Sequence, residues 1–271
     1  MSGESERARR SAERLVGLLD IADRQPGASE LRARTYDLLR ARRGASVVDV
    51  GCGAGLAVAE LAGLAGLVEP AGLAELAGQG VEAIGVDPSE PMIAVARERW
   101  PAADFRVAGA YELPLPDASV DGYRADKVFH ELADPERALA EARRVLVPGG
   151  RVVLLGQDWE VCLIDSDDPV LTRSIARARF DTITAPYVAR RFRALLLDAG
   201  FRDVEVEVHT LVFTGSAGLP LVGGLAETAC AAGAVTRSQA DGWLAEQRDR
   251  AEADRFFLAV PMIFTSASAP A

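Results

Sequence analysis

The sequence is poor in the residues that build metal sites and covalent crosslinks. Its 271 residues include three cysteines and two histidines. Cys52, Cys162 and Cys230 lie far apart and form no C-x-x-C pair, so the sequence predicts neither a disulfide framework nor a zinc site. We therefore expect reduced thiols and no bound metal.

Long apolar runs and an excess of positive charge are also missing. No continuous apolar segment reaches the roughly 18 residues typical of a membrane helix, and residues 1–7 are too charged for a signal peptide. The formal net charge of −10 argues against a nucleic-acid surface, because such surfaces need clustered Lys and Arg. We expect a cytoplasmic protein that acts on a small molecule, with no nucleic-acid or membrane partner.

The composition that remains is that of a folded globular protein. Hydrophobic residues make up 49% and charged residues 26% of the chain, and this length suits one well-cored domain with an appendage. We expect an N-terminal helical cap over residues 1–44 and an α/β domain over residues 45–271. Helical insertions are expected at about 156–186 and 216–254, and the second could form a homodimer contact.

One segment organises the fold hypothesis, a β-branched run that ends in alternating glycines: Val47-Val48-Asp49-Val50-Gly51-Cys52-Gly53-Ala54-Gly55. It predicts a buried strand that leads through a tight turn into a helix, a setting in which nucleotide-like ligands bind. The dinucleotide fingerprint G-x-G-x-x-G would place its third glycine where this chain has Leu56. The spacing therefore disfavours a nicotinamide oxidoreductase, which is kept as an alternative.

The pattern D-x-G-x-G-x-G resembles the first motif of the class I S-adenosylmethionine-dependent methyltransferases. Three later segments resemble the family in the same order: Gly85-Val86-Asp87-Pro88-Ser89, the fourth-strand tip at 126–131, and Arg144-Val145-Leu146-Val147-Pro148-Gly149-Gly150. Four ordered signals at βα spacing are more specific than one glycine motif. The resemblance covers about residues 45–155, and methyltransferases that tailor secondary metabolites look most similar.

This resemblance implies a Rossmann-like, doubly wound α/β fold. The sheet is expected to have seven strands, mostly parallel with an antiparallel last strand, and to be covered by the N-terminal helices and the helical insertions. Strands are predicted near residues 47–50, 81–86, 104–107, 120–125, 151–155, 204–213 and 256–264. Residues 266–271 are expected to form a short tail.

The resemblance also implies S-adenosylmethionine as the cofactor. An acid at the tip of the second strand can accept ribose hydroxyls, which is the role predicted for Asp87, with a helix cap as its alternative. Gly109 departs from the family pattern, in which an acid commonly contacts the adenine amine. The residues expected to bind the cofactor are Asp49, Gly51, Cys52, Gly53, Gly55, Asp87, Pro88, Met92, Gly109, Ala110, Tyr111, Asp126 and Lys127.

The implied reaction is methyl transfer to an O, N or C nucleophile of a small molecule, in natural-product tailoring. The electrophile arrives activated, so the protein supplies positioning, dry surroundings and, where required, a base. His130 is a candidate base because a neutral imidazole titrates near neutral pH, and a structural histidine is the alternative. Glu131 is its immediate competitor for this role, with a solvated side chain as the alternative. Asp158 is the second candidate, with a helix cap as its alternative, and Trp159 would wall the acceptor pocket.

Two other functions stay open from the sequence. A cofactor-binding fold that catalyses a cyclisation or isomerisation without methyl transfer would suit the missing acid at Gly109. A non-enzymatic partner protein would use the helical insertion for assembly, and its function would not depend on Asp87.

Overall fold

The computed structural model describes residues 16–17, 19–21, 23–25, 27–64 and 80–271, and the described residues between 16 and 21 and residue 23 are helical. The predicted cap at 1–44 thus falls partly outside the described residues. The longer described helices are α1 Ala28–Leu39, α2 Leu56–Leu61, α3 Glu90–Arg99, α4 Pro135–Val145, α5 Pro169–Phe180, α6 Val188–Asp198, α7 Leu219–Ala231 and α8 Arg237–Glu252. The described strands are β1 Ser46–Val50, β2 Glu82–Asp87, β3 Asp104–Val107, β4 Val120–Asp126, β5 Leu146–Gln157, β6 Leu163–Ile164, β7 Arg202–Thr214 and β8 Phe257–Ser268.

The strands form one twisted sheet whose first half is parallel. Strands β3, β2, β1, β4 and β5 lie side by side in that order and pair in parallel. Strand β8 runs antiparallel to β5 and to β7, and Phe264 pairs with Leu155 on one side and Glu207 on the other. β8 therefore lies between β5 and β7, and the predicted mostly parallel sheet with an antiparallel last strand is confirmed.

The sheet differs from the prediction at its far edge. The two-residue strand β6 pairs with β8 beyond the end of β5, which adds an eighth short strand. Residues 266–268 belong to β8 rather than to a tail, and Ser266 is 1% exposed. Its hydroxyl accepts a hydrogen bond from Nη2 of Arg151 at 2.8 Å. The polar residues at the end of β8 do not predict a strand by themselves, because the strands that pair with them, β5 and β7, are distant in sequence.

Local sequence explains where the site-forming helices begin. Ser89 accepts a hydrogen bond from Met92 N at 3.4 Å and starts α3, and Asp134 accepts one from Arg137 N at 2.9 Å and starts α4. Proline stands in the first turn of both helices, where its missing N–H costs nothing. Both helices therefore start at fixed points just after the ends of β2 and β4.

Apolar side chains fill both faces of the sheet. Val48 and Leu154 point into one cluster, which α4 and α6 cover, whereas Val47 and Leu155 point into another, which α1, α2 and α3 cover. Alternate residues of the central strands are thus buried on opposite faces, as a doubly wound fold requires. The carboxyl ends of the parallel strands β1, β2 and β4 lie at the same edge of the sheet.

The two regions predicted as insertions pack against each other. Helices α5, α7 and α8 share a third apolar cluster with the start of β8, around Ile175, Phe256 and Trp243. The indole N–H of Trp243, which is 2% exposed, donates to Oγ1 of Thr172 at 2.9 Å. Two segments distant in sequence therefore form one helical layer beside β6.

We expect Trp243→Ala to lower the free energy of unfolding by about 3–5 kcal/mol, because it empties the centre of this layer. Thr172→Val, which strands the indole N–H, should cost about 1–3 kcal/mol. The measurement is urea unfolding, with Val170→Ala, 64% exposed in the wild type, as the near-neutral control. A loss below about 1 kcal/mol for Trp243→Ala would show that the layer is not part of the cooperative fold.

Candidate cofactor and acceptor site

The glycine turn after β1 has a backbone that only glycine adopts easily. Gly51 and Gly55 have φ of 70° and 84°. A Cβ at Gly51 would overlap the side chain of Val128, and one at Gly55 would lie 2.5 Å from Cζ of Phe105. The N–H groups of Gly51 and Cys52 both donate to Val86 O, at 2.7 and 3.1 Å. The turn is therefore fixed against the end of β2.

Asp87 ties the tip of β2 to the same turn. Its Oδ2 accepts from Gly53 N at 3.1 Å and its Oδ1 accepts from Ser89 N at 2.9 Å. Ser89, not Asp87, is the N-cap of α3, so the capping alternative for Asp87 is not observed. An ionised carboxylate has about four acceptor positions, which leaves Asp87 able to accept further hydrogen bonds.

A cavity of about 370 Å³ opens beside the turn, a size in the range of small-molecule sites. Five acidic and five basic side chains line it, so the wall suits a ligand that carries both charges. Six of the residues predicted to bind the cofactor line this cavity: Asp49, Gly51, Cys52, Gly53, Asp126 and Lys127. Lys127 has φ of 59°, an uncommon conformation for a non-glycine residue that often marks a constrained site.

A buried guanidinium at the base of the cavity forms hydrogen bonds to three side chains. Arg124, 2% exposed in β4, donates from Nη1 to Asp49 Oδ1 at 2.6 Å and from Nη2 to Asp126 Oδ2 at 2.7 Å. Its Nε donates to Thr35 Oγ1 at 2.7 Å. One side chain therefore connects the ends of β1 and β4 with helix α1.

A second buried group joins α1 to the helix that follows the turn. Arg32 donates to both carboxylate oxygens of Glu60 at 3.0 Å, and the hydroxyl of Tyr36 donates to Glu60 Oε2 at 2.6 Å. Tyr36, 2% exposed, thus packs inside the protein.

The described N-terminal residues lie over the turn. Arg99 donates to both oxygens of Asp20 at 2.7 and 2.8 Å, and Arg32 Nη1 donates to Asp23 at 3.3 Å. The Leu19 side chain comes within 3.2 Å of the ideal Cβ position of Gly53. This segment therefore forms part of the cavity wall.

The carboxylates that share Arg124 differ in their tendency to ionise. Burial opposes the charged form of Asp126, but Lys127 and Arg124 outweigh it and keep the pKa of Asp126 below its usual value. Burial raises the pKa of Asp49, although Arg124 opposes the shift. Burial also works to lower the pKa of Arg124, yet Asp49 and Asp126 raise it overall. The guanidinium thus stays charged.

The segment after β3 follows the prediction only in part. Ala108 N donates to Asp87 O at 3.1 Å, which brings Gly109 to the tip of β2, and a Cβ on Gly109 would meet open space. Tyr111 is engaged elsewhere, because its hydroxyl accepts from Asp134 N at 3.0 Å and Arg137 lies 4.9 Å from its ring centre. Ala110 is 6% exposed.

The remaining residues that were predicted to bind the cofactor near the turn differ in their burial and position. Met92 is 2% exposed and lies under Gly53, with its Cε 3.7 Å from the ideal Cβ position. Gly55 is the N-cap of α2, and Pro88 is exposed between Asp87 and the start of α3. Burial raises the pKa of the Cys52 thiol, so this cysteine lines the wall as a neutral side chain.

His130 lies in a short 3₁₀ turn, Phe129–Glu131, three residues after Lys127. Its ring packs against Trp159 with 5.0 Å between ring centres and 52° between ring planes, and the Arg179 guanidinium lies 4.9 Å from the Trp159 ring centre. Burial, Arg179 and Lys127 lower the pKa of His130, against the raising effect of Glu131. The imidazole is therefore neutral at pH 7, the form that a general base needs.

The geometry argues against the predicted role of Asp158 as a base. Its carboxylate forms a bidentate ion pair with Arg190, whose Nη2 lies 2.8 Å from Oδ1. The N–H groups of Glu160 and Val161 also donate to Oδ1, at 3.0 and 3.3 Å. Asp158 thus anchors the loop after β5 instead of facing an acceptor, and we do not retain it as a catalytic candidate.

Comparison with known proteins identifies the family. Residues 48–154 match the family described as a methyltransferase domain, the region that contains the turn, Asp87 and the tip of β4. The chain belongs to the class I S-adenosylmethionine-dependent methyltransferases. It is therefore a methyltransferase with S-adenosylmethionine as its cofactor. The nicotinamide alternative is thereby excluded.

Individual relatives are similar over different lengths. An uncharacterised 37.1 kDa protein in transposon TN4556 from Streptomyces fradiae is 36% identical over 94% of this chain and 71% of its own length. The O-methyltransferase cnsE of Penicillium expansum is 30% identical over 60% of this chain and 54% of its own length. The crystal structure of the [4+2]-cyclase SpnF superposes with a TM-score of 0.56 at 23% identity, covering 90% of this chain and 82% of SpnF. That similarity shows the fold alone.

The residues of the cavity fit this methyltransferase cofactor. Gly51, Cys52 and Gly53 of the turn line the cavity, so a ligand there lies beside the backbone of the turn. Carboxylates of Asp49 and Asp126 suit the ammonium of the methionine part, and Lys127 suits its carboxylate. Among the described residues, no cluster of metal-ligating side chains is present and every helix is too short or too polar to cross a lipid bilayer.

Sequence reasoning missed the side chains that hold this methyltransferase site in place. Arg124, Thr35, Arg32 and Glu60 were not singled out, nor was Arg179 beside Trp159. One signal was available: Arg124 stands between Tyr123 and Ala125 in a strand predicted to be central. An arginine inside a buried strand requires an acidic partner; Asp126 lies two residues away in the sequence, whereas Asp49 lies 75 residues away.

We expect Arg124→Met to lower the free energy of unfolding by about 3–5 kcal/mol, because it leaves the buried Asp49 carboxylate without its cation and leaves Asp126 with Lys127 alone. The loss should grow between pH 4 and pH 8, since the unpaired Asp49 carboxyl group is neutral at low pH and loses its proton as the pH rises. Denaturant unfolding at both pH values measures it. Arg106→Met, which breaks an exposed pair with Asp104, should cost about 1 kcal/mol or less. Equal losses for the two variants would contradict the structural role of Arg124.

Proposed function

We propose that this methyltransferase transfers its methyl group to a hydroxyl oxygen of a small molecule in natural-product tailoring. The observation that carries the proposal is the position of His130, whose side chain is 11% exposed and which lies three residues after Lys127 of the cofactor cavity. A hydroxyl is a weak nucleophile until it loses a proton, whereas a neutral amine already carries a lone pair. A base at this position therefore favours an oxygen acceptor. The similarity to an O-methyltransferase supports the same choice.

The binding roles follow from the positions of the side chains. We assign the ribose hydroxyls to Asp87, the ammonium to Asp49 and Asp126, and the carboxylate to Lys127. S-adenosylmethionine supplies an electrophilic methyl group on a positively charged sulfur. The protein orients the acceptor, keeps water away and removes the acceptor proton.

The remaining predictions concern organisation and surroundings. We propose that residues 45–271 act as the catalytic unit and residues 1–44 as its cap, since α1 is tied to β4 and α2 by buried hydrogen bonds. Cys52, Cys162 and Cys230 are free, which is compatible with a cytoplasmic location, as is the absence of paired thiols in the sequence. A homodimer through the helical layer is retained as a proposal only.

We expect S-adenosylmethionine and S-adenosylhomocysteine to bind the wild-type protein in calorimetric titration. Asp87→Ala should weaken both ligands about 10- to 150-fold, because hydrogen bonds to a charged group are worth about 1.5–3 kcal/mol. Asp104→Ala, which changes an exposed acid of β3, is the matched control and should bind like the wild type. The absence of heat with the wild-type protein, or equal affinities for Asp87→Ala and the control, would refute the assignment.

We expect Gly109→Asp to strengthen cofactor binding about tenfold, because the position has open space and a carboxylate there would accept from the adenine amine. Gly109→Ala is the control for the backbone change and should leave the affinity unchanged. Both are measured by the same titration. Weaker binding by Gly109→Asp than by Gly109→Ala would place the adenine elsewhere.

A further inference from the structure

The contact between His130 and Glu131 indicates which ring nitrogen can act as a base. Its Nε2 lies 3.0 Å from Oε1 of Glu131, whose side chain is 63% exposed. An exposed glutamate is ionised at neutral pH and only accepts hydrogen bonds. In the neutral ring, Nε2 must then carry the hydrogen, so Nδ1 keeps the lone pair.

Two buried polar atoms near this ring lack partners. Among the described residues, neither Nδ1 of His130 nor Nε1 of Trp159 makes a hydrogen bond, and both atoms are shielded from solvent. Their requirements are opposite, since Nδ1 accepts and the indole N–H donates. An unpaired buried polar group is destabilising. The centres of the two rings lie 5.0 Å apart. They thus present one acceptor, Nδ1 of His130, and one donor, Nε1 of Trp159, that a single ligand with neighbouring oxygens would satisfy.

We propose that Nδ1 of His130 accepts the proton of the acceptor hydroxyl, that Glu131 is the positioning residue for this ring, and that the Trp159 N–H binds a second, neighbouring oxygen. The proposal rests on the proposed oxygen methylation. It names the substrate class as molecules with a hydroxyl next to another oxygen, such as a catechol or an o-hydroxycarbonyl compound.

The loop after β5 is anchored at Asp158, directly before Trp159. Asp158 is held by Arg190 and by two N–H groups of the loop, and Asp158 N donates to Pro261 O at 3.3 Å. The Trp159 ring centre lies 4.9 Å from the Arg179 guanidinium and 5.0 Å from the His130 ring centre. A ligand that displaces the indole from the imidazole therefore gains both polar atoms without unfolding the loop.

The proton transfer is balanced within these groups. The O–H bond of the acceptor breaks, its electron pair stays on the oxygen, and the proton forms a new N–H bond at Nδ1. The resulting imidazolium faces the Glu131 carboxylate, which favours its charge, and Arg179 and Lys127, which oppose it. The ring afterwards returns the proton to water. Glu131 therefore affects the proton affinity of His130 as well as its orientation.

The first test reads the hydrogen positions directly by NMR of protein with ¹⁵N-labelled histidine. The chain has two histidines, so His209→Gln assigns the signals. At a pH where His130 is neutral, we expect hydrogen on Nε2 with a preference of about tenfold or more, the size that one hydrogen bond to a charged group gives. Hydrogen on Nδ1 in the wild-type protein would overturn the proposal.

Variants separate positioning from general structural effects. Glu131→Ala should abolish the preference and lower the pKa of His130, whereas Glu131→Gln, which keeps an accepting oxygen, should restore the preference but not the pKa. Glu207→Ala is the matched control, because Glu207 pairs with Nε2 of the exposed His209 at 3.1 Å; it should leave His130 unchanged. An unchanged His130 tautomer in Glu131→Ala would remove the positioning role.

The second test addresses the substrate class, with catechol and phenol as probes on the protein bound to S-adenosylhomocysteine. Catechol should shift both the His130 Nδ1 signal and the Trp159 indole N–H signal, which Trp159→Phe assigns, whereas phenol should shift only the imidazole. No indole shift with catechol, or equal indole shifts with both, would refute the two-oxygen recognition. Formation of S-adenosylhomocysteine from S-adenosylmethionine and catechol is measured separately, so failure of methyl transfer is distinguishable from failure of this inference.

Discussion

The site depends on one buried cation, the guanidinium of Arg124. It lies within the central strand β4, where an unpaired charge would be strongly destabilising. Asp49 and Asp126 balance it, and Thr35 accepts its remaining Nε hydrogen bond. The ends of β1 and β4 and helix α1 must therefore keep one relative position. The cofactor cavity lies against this fixed group, so its shape follows from the pairing.

The two halves of the site have different origins in the fold. The cofactor side uses the ends of β1, β2 and β4, with the glycine turn held by Val86 and Asp87. The proposed acceptor side uses the turn after β4, the loop after β5 and helix α5, where Trp159 packs against His130 and Arg179 packs against Trp159. The cofactor side does not fix this second half, because Trp159 and Arg179 come from segments that follow β5. Different acceptors can thus be served by the same sheet.

Much of the sheet was predictable from sequence, because each of its first five strands is marked locally. β-branched runs, the glycine turn and Pro-Gly-Gly punctuate the chain at βα spacing. The side-chain network was not predictable in this way, since Arg124 and Asp49 are 75 residues apart. The prediction of Asp158 as a base overlooked its ion pair for the same reason, since its partner Arg190 lies 32 residues later, on α6. Local patterns report strands and turns, whereas ion pairs depend on tertiary structure.

The most direct test of the proposed cofactor site is a crystal structure of the protein with S-adenosylhomocysteine. The ligand should lie along the Gly51–Gly55 turn, with its ribose hydroxyls within hydrogen-bond distance of Asp87. Its amino acid end should lie between Asp49, Asp126 and Lys127, with the pairs of Arg124 intact. Ligand density away from the turn, or a ribose that does not contact Asp87, would contradict the proposed cofactor site.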